Sequence, residues 1–373
     1  MVAIKVAQCS TSVPIEYNTA PSSISKRFTM FLGWRMESVA VGSKTLVLPS
    51  LVPSISSFET QLDPIAALQL QYALREPVTL VSAYDLNLFG SSFVDLCRRF
   101  KETGVLLLDS GGYEHSHASR YAGKGYATWT FEAYKAACEL QLHDFAFSFD
   151  YFWRDNDSSE SYDDFELRLV GELFNEHSFV AKDALIPVLH LHTRSDETQK
   201  LSEEQILQLV KRVASECKSP FIAIPERELG DGLIEKFKLA KKICDALSET
   251  PGVGLHVLGC GNPLSFAYLA AAGARMADGL EWYRTYISDN FHLHHFQQEP
   301  VLPNAGENVG NPTAELILKR GLPYRVKVAT MNLMSLQAFS TELSPLVRQR
   351  TVHQLVQKNY GLRAGTELQG LEA

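Results

Sequence analysis

The chain has 373 residues, of which 45% are hydrophobic and 21% charged, and its formal net charge is −8. The apolar content excludes a disordered or fibrous chain and allows a large buried core. The acidic balance excludes a protein that holds nucleic acid through a broadly basic surface, so any contact with phosphates needs a local patch.

Eight short apolar runs, each bounded by polar residues or glycine, recur along the chain. They span residues 45–51, 78–86, 105–113, 144–152, 184–192, 221–226, 254–261 and 276–283. Runs of this length, rich in Val, Ile, Leu and Phe, are typical of strands that are buried on both faces, as in a parallel sheet.

Segments with helical periodicity lie between these runs. They predict helices over residues 92–104, 130–142, 202–217, 234–249 and 263–274, and two more in the tail over 332–343 and 346–360. Ser202 and Gln205 have the spacing of a capping box, which supports a helix that begins there.

The alternation of strands and helices predicts an α/β fold, a (β/α)8 TIM-type barrel. An open doubly wound sheet gives the same alternation and stays open as the alternative. We expect an N-terminal extension over residues 1–44, a catalytic barrel over 45–300 and a C-terminal helical subdomain over 301–373.

The location of the protein follows from what the sequence lacks. No apolar run reaches the roughly 18 residues that span a membrane, and the first residues lack the apolar centre of a secretion signal. The six cysteines include no Cys-x-x-Cys pair and have no framework spacing, as expected for reduced thiols. We therefore expect a cytoplasmic protein with no membrane contact.

In a barrel of this class the reactive groups lie at the carboxyl ends of the strands. The predicted strand ends supply four carboxylates, two histidines and a glycine-rich turn: Asp109, Asp150, Glu226, Asp278, His190, His192 and Gly259 to Gly261. Carboxylates that crowd one mouth push their pKa values apart, which suits one as nucleophile and another as acid or base.

Each of these residues also has a plain structural interpretation. Asp109 with its following glycines could form a tight turn, and Asp150 could cap a helix. One of His190 and His192 is predicted to face the barrel and the other its outer side, so at least one is expected to pack without a catalytic role. Asp278 is hardest to explain structurally, because a carboxylate that ends an apolar strand is costly unless it is used or paired.

Two segments resemble the tRNA-guanine transglycosylases. Residues 106–116, LLLDSGGYEHS, are similar to their Asp-Ser-Gly-Gly-aromatic segment, and residues 254–284 are similar to the segment that leads to their nucleophilic aspartate. The similarity covers about residues 45–340, with weaker motifs between these two segments. This resemblance implies a (β/α)8 barrel, which agrees with the strand pattern.

The resemblance implies a role for each matching residue. Asp278 would attack the anomeric carbon of a guanosine, and Asp109 would act as the general acid and base. Ser110, Tyr113, Asp150, His190 and Gly259 would bind the substrate base, and Arg284 would lie by the phosphates. Glu226 departs from the family's glycine pattern, and we expect it to bring a new carboxylate to the substrate pocket.

The sequence departs from the family where the family binds zinc. No cysteine follows Cys260, and the family's late His-Asn pair reads Met331-Asn332 here, so we expect no zinc and no other cofactor. His292, His294 and His295 could rebuild the site, although a histidine-rich surface turn is the alternative. His190 and the Trp that follows Asp278 are similar to the DpdA-type branch, which inserts 7-deazaguanines into DNA.

The sequence therefore predicts a guanine transglycosylase whose partners are a nucleic acid and a small 7-deazaguanine base, with DNA favoured over tRNA. A queuine or preQ1-type tRNA enzyme, a non-catalytic partner subunit and a barrel hydrolase of small nucleosides remain alternatives. The sequence also leaves open whether the protein needs accessory proteins or forms a homodimer. Basic residues that could follow a nucleic-acid backbone, or only solvate the surface, are Arg284, Lys319, Arg320, Arg325 and Lys327.

Overall fold

The computed structural model describes residues 38–57, 62–112, 129–153, 159–192, 200–295 and 310–373. These residues belong to one compact unit. Among them, no helix combines the length and the apolar character that crossing a membrane requires.

The strands form one large parallel sheet and two small hairpins. An antiparallel hairpin of β1 (Ser38–Val41) and β2 (Lys44–Val47) comes first, and another of β11 (Thr285–Ile287) and β12 (Leu293–His295) follows the sheet. The strands of the sheet are β3 (Ser50–Ile55), β4 (Val78–Ser82), β5 (Val105–Asp109), β6 (Phe145–Phe147), β7 (Leu185–Ile186), β8 (Phe221–Pro225), β9 (Gly254–Leu258) and β10 (Met276–Gly279).

Helices connect the strands and form the tail. Those up to the end of the sheet are α1 (Pro64–Leu74), α2 (Ala83–Phe89), α3 (Ser91–Thr103), α4 (Phe131–Glu139), α5 (Tyr162–Glu176), α6 (Glu203–Cys217), α7 (Leu233–Leu247) and α8 (Pro263–Ala272). After β10 follow α9 (Glu281–Arg284), α10 (Pro312–Lys319), α11 (Tyr324–Gln349), α12 (Val352–Tyr360) and α13 (Leu362–Glu372).

The eight parallel strands close into a barrel. Their order is β7-β6-β5-β4-β3-β10-β9-β8, and the two ends meet where Val188, just after β7, pairs with Ala223 of β8. The amide of Leu189 donates to the carbonyl of Ala223 at 2.9 Å, and the Ala223 amide donates to Pro187 at 2.8 Å. The predicted TIM-type barrel is therefore confirmed, and the open sheet is excluded.

The amino-terminal end of the barrel is plugged. Val41 and Leu46 of the first hairpin join the apolar cluster inside the barrel. On the same hairpin, the Lys44 ammonium donates to the carbonyls of Lys101 and Gly104 at 3.0 and 2.8 Å and pairs with Asp144. This closed end leaves the carboxyl ends of the strands as the mouth in which a site can form.

The structure confirms most predicted helices and corrects two strands. Ser202 and Gln205 form the predicted capping box, with hydrogen bonds of 3.3 and 2.9 Å at the start of α6. The predicted first strand, 45–51, is wrong. Its first half belongs to β2 of the hairpin, and the first strand of the barrel is β3. The two strands are separated at Pro49, which has no amide hydrogen to donate to a sheet. The eighth strand ends at Gly279, and Glu281–Arg284 is helical.

Helix α11 takes the place of the barrel's eighth helix. It contacts α8 on one side and α1 on the other, and it packs against β3 between them. Helices α12 and α13 pack on α8 outside this ring. The predicted boundary at 300/301 lies outside the described residues, and the boundary at 44/45 falls at the start of β2; both boundaries stay predictions.

Candidate active site

Strand periodicity directs a set of polar side chains into the barrel mouth. Val78, Leu107, Val188 and Met276 belong to the interior cluster, and side chains two residues further along a strand lie on the same face. By this rule, the side chains that point inward at the rim of the barrel are the polar ones of Ser82, Asp109, His190 and Asp278. Two of these four are the predicted catalytic aspartates.

Asp278 is held by three donors. Its Oδ2 accepts from the Ser54 hydroxyl at 2.8 Å, and its Oδ1 accepts from His256 Nε2 at 2.9 Å and from the Gly259 amide at 3.2 Å. The carboxylate is 7% exposed, and His256 beneath it is fully buried against Phe147. Donors on both oxygens fix the side chain in one orientation and stabilise its charge.

Asp109 has a different environment. Its Oδ2 accepts from the Gly111 amide at 3.0 Å. Burial is the largest cause that raises the pKa of Asp109, the charges of Asp150 and Asp278 act in the same direction, and the amides of Gly111 and Ser110 oppose them, so that the pKa is about 7. Asp109 therefore exchanges a proton near neutral pH, as a general acid and base must.

A tight turn follows Asp109 and brings Asp150 beside it. The Ser110 hydroxyl accepts from the Gly112 amide at 3.2 Å, and the Ser110 carbonyl accepts from Trp129 Nε1 at 2.8 Å, so this serine shapes the turn. A β-carbon on Gly112 would lie 1.5 Å from Asp150 Oδ2. Only glycine at this position lets the Asp150 carboxylate reach the mouth.

His190 and His192 both approach Glu228, which the sequence reasoning missed. Glu228 Oε1 lies 2.8 Å from His190 Nδ1 and 3.1 Å from His192 Nε2. The prediction that one histidine faces outward is wrong, because residues two apart in an extended chain share a face. His190 Nε2 lies 3.2 Å from Asp150 Oδ1, so the two predicted base-binding residues meet.

Two further carboxylates lie at the rim near Asp278. Glu226 pairs with Lys236 at 3.0 Å, so its charge is largely compensated. Glu281 lies against Gly261, and its Oε2 has no hydrogen-bond partner in the described part of the chain. Burial raises the pKa of Glu281, and the charges of Asp278 and Glu226 add to this, whereas Arg284 lowers it. Arg284 thus compensates acidic charge beside Asp278.

Gly259 lies beside Asp278 at the rim, and its role in binding a base stays a prediction. Its φ of +72° lies in the left-handed region that favours glycine, and a β-carbon there would have no atom within 4 Å. The Gly259 amide donates to Asp278, and the open space beside this glycine leaves room for a flat ring.

The segment after β10 is tied to the rest of the barrel. Trp282 Nε1 donates to the carbonyl of Ser54 at 2.7 Å, and the Tyr283 hydroxyl bonds the backbone of Ser56. Asn332 of α11 donates to Trp282 and Thr285 at 2.7 Å each and accepts from the Ile287 amide at 2.7 Å. The asparagine that sequence comparison placed in a lost zinc motif therefore fastens this segment.

Two of the remaining predicted residues, His292 and His294, contact the tail and the second hairpin. Tyr113 lies outside the described residues. His292 Nε2 donates to the carbonyl of Asn359 at 2.6 Å and its ring stacks on Tyr360, while the ring of His294 packs against Tyr286. Over the described ranges no group of three His, Cys, Asp or Glu side chains could hold a metal ion, so the residues present do not fit the zinc of the family.

Sequence reasoning missed Ser54, His256 and Glu228. Ser54 was hidden by the misplaced first strand, since the predicted strand ended at residue 51 and β3 continues to Ile55. His256 lies two residues before Leu258 on β9. The alternation of side chains along GLHVL puts the two residues on the same face, so the sequence alone could have identified His256 as pointing inward. Glu228 follows the predicted Glu226 by two residues, and only the turn at Glu226–Glu228 decides which of the two reaches His190.

The mouth of the barrel thus combines a fixed carboxylate, a carboxyl group that titrates near neutral pH, and the paired side chains of Asp150 and His190. No protein-family model and no curated protein matches the chain, so the assignment of a function depends on this geometry and on the resemblance carried by the two motifs.

Proposed function

We propose that the protein is a guanine transglycosylase that replaces guanine in a nucleic acid by a 7-deazaguanine, with DNA favoured over tRNA as the substrate. The observation that carries the proposal is the contrast between two aspartates in one barrel mouth. Asp278 is held as an acceptor by three donors, whereas Asp109 has a pKa of about 7. Environments that separate two carboxyl groups in this way assign one as nucleophile and the other as acid.

The reaction then has two balanced halves. An oxygen of Asp278 attacks the anomeric carbon, the glycosidic bond to guanine breaks, and protonated Asp109 donates its proton to the departing base. The product of this half is an aspartyl ester of the sugar. A 7-deazaguanine then loses its ring N–H proton to Asp109 and attacks the same carbon, which releases Asp278 as a carboxylate.

The pocket beside these residues supports a flat base with both donors and acceptors. Asp150 offers carboxylate oxygens to N–H groups, and Gly259 leaves space for a ring. A base that enters this mouth must leave its stack, so the substrate is a flipped nucleotide or a single strand. The similarity to the DpdA-type branch favours DNA.

The test is release of radiolabelled guanine from DNA and from tRNA when a 7-deazaguanine is supplied. We expect the wild type to release guanine and Asp278→Asn to lose at least about a thousandfold in rate, because the amide cannot form the ester. Asp289→Asn, an exposed aspartate of the β11–β12 hairpin, is the matched control and should keep full rate.

The covalent intermediate gives a second readout. On a denaturing gel, wild type without an incoming base should retain labelled nucleic acid, and Asp278→Asn should not. A wild type that exchanges guanine in neither polymer would exclude the proposal, and a wild-type rate for Asp278→Asn would remove Asp278 from the role of nucleophile.

A further inference from the structure

Glu228 is a buried carboxylate whose oxygens are occupied by the loop that carries His190. Oε1 accepts from His190 Nδ1 at 2.8 Å, and Oε2 accepts from the Leu191 amide at 2.5 Å. His192 Nε2 lies 3.1 Å from Oε1. A glutamate that is 4% exposed with these partners is fixed in place.

His190 is the central group of this cluster. Phe152 stacks on its ring with a centroid distance of 3.9 Å, which leaves little freedom to rotate. Its Nδ1 points to Glu228, and its buried Nε2 lies 3.2 Å from Asp150 Oδ1. The charged and titratable groups that face His190 are thus Asp150, Glu228 and His192.

Two carboxylates on opposite sides of one imidazole favour its charged form. Burial alone would lower the pKa of His190, but Asp150 and Glu228 more than offset it and raise the pKa to about 9. Burial would likewise raise the pKa of Glu228, but His190 and His192 lower it to about 2. Both directions describe the same ion pair.

We propose that Glu228 is a positioning residue that keeps His190 a donor at both ring nitrogens, so that the pocket selects bases with an oxo group where adenine has an amino group. The proposal rests on the proposed function, since it concerns which base enters the same mouth. Glu228 accepts the hydrogen bond from Nδ1–H, and Nε2–H remains as a donor beside Asp150, which is an acceptor.

The selectivity follows from the roles that each group can play. A carbonyl oxygen of the base can accept from His190 Nε2–H while a neighbouring N–H group donates to Asp150, as in guanine and 7-deazaguanines. An amino group in place of that carbonyl oxygen, as in adenine, would set its N–H donor against the N–H donor of His190 Nε2. Without Glu228, His190 can be a neutral imidazole with no proton on Nε2. The pocket would then discriminate less against a base with an amino group.

The first experiment reads the protonation of His190 without any need for activity. Histidine-labelled protein is titrated from pH 5 to 10 by heteronuclear NMR, and His190→Gln assigns the signal. We expect His190 to stay charged at pH 7 in the wild type and its titration to move down by about one pH unit or more in Glu228→Gln. Glu249→Gln, which removes an exposed partner of Lys211, should change nothing.

The second experiment measures binding of radiolabelled guanine and adenine by equilibrium dialysis at pH 7.5. We expect the wild type to prefer guanine and Glu228→Gln to lose about 10- to 100-fold of that preference, which is the effect of one charge-assisted hydrogen bond. If Glu228→Gln does not fold, Glu228→Asp replaces it and should give a smaller loss in the same direction.

The outcomes separate this inference from the proposed function. An unchanged His190 titration, or an unchanged preference in Glu228→Gln, overturns the role of Glu228 even if guanine exchange is intact. A wild type that has the charged His190 but binds neither base overturns the selectivity and the proposed function together. A preference lost with the downward shift of the titration supports the inference.

Discussion

At the scale of single residues, the candidate site contains two aspartates, Asp109 and Asp278, whose surroundings differ. Both lie at inward positions of the barrel, yet Asp278 accepts from a hydroxyl, an imidazole and an amide, whereas Asp109 accepts from backbone amides and lies near two other carboxylates. Because donors stabilise a carboxylate and burial destabilises it, the chain assigns the two roles by neighbours rather than by residue type.

The titration of Asp109 predicts the pH dependence of the reaction. In the proposed reaction the proton on Asp109 is needed when guanine departs, and the pKa of Asp109 is raised to about 7, so the proton is present below that pH and lost above it. We expect the single-turnover rate of guanine release to fall about tenfold per pH unit above pH 7. The measurement is a rapid-quench series from pH 6 to 9.

Asp109→Asn tests whether this residue causes the fall. The variant should be slow at every pH and should lack the decline, because an amide neither titrates nor gives up a proton. Asp289→Asn should reproduce the wild-type profile. A wild-type rate that rises between pH 7 and 9 would remove Asp109 from the role of acid.

At the scale of elements, the ends of strands and one tail helix carry the site. Helix α11 completes the ring of helices and, through Asn332, holds the segment that follows Asp278. The helix thereby couples the packing of the tail to the position of Trp282, which bonds the carbonyl of Ser54 beside the nucleophile. A helix outside the barrel therefore supports the chemistry inside it.

Replacement of Asn332 by alanine should show this coupling. The side chain is fully buried and makes three hydrogen bonds, and their loss leaves the backbone groups of Trp282, Thr285 and Ile287 without partners. We expect the free energy of unfolding to fall by about 3 kcal/mol in urea titration, together with a loss of guanine release.

Thr341→Ala is the matched control on the same helix. Thr341 is exposed and bonds only the carbonyl of Gln337, so its loss should cost less than about 0.5 kcal/mol. Equal destabilisation by the two variants would mean that α11 contributes through its helix alone and not through the asparagine.

At the scale of the whole molecule, buried carboxyl groups set the dependence of stability on pH. Burial raises the pKa of Glu76 and Glu176 to about 8 and of Asp85 to about 7. A raised pKa means that the folded state binds the proton more tightly than the unfolded state. The stability this contributes is complete near pH 4 and is lost as the pH rises through 7 to 8.

Glu76→Gln should remove a large part of this loss. Glu76 is 5% exposed and accepts from Gln337 at 2.7 Å, and a glutamine can keep that hydrogen bond without a titrating group. We expect the variant to be more stable than the wild type by about 1–3 kcal/mol at pH 9 and nearly equal at pH 4. Denaturant titrations at the two pH values measure the difference.

The exposed Glu102 provides the control for this measurement, because Glu102→Gln changes the same chemical group without burial and should leave both values unchanged. A wild-type stability that rises steadily from pH 6 to 9 would contradict the protonated state of these buried groups.

The sequence by itself determined the class of fold and the two central aspartates. Apolar runs of strand length and amphipathic segments between them specify a parallel sheet covered by helices, and this information is local. Asp109 and Asp278 follow buried runs, and the alternation along a strand turns both toward the interior. The misplaced first strand shows the limit of this reasoning, since run 45–51 is apolar throughout and does not mark where the hairpin ends and the barrel begins.

Only the tertiary structure decided which groups surround these aspartates. Ser54, His256 and Asp278 come from three strands, and Glu228 reaches His190 across 38 residues of chain. Such contacts depend on the stagger between strands and on the closure of the barrel, which no local pattern encodes. Burial and neighbouring charge, which give Asp109 its raised pKa, exist only once the mouth has formed, because they arise from groups that are distant in sequence.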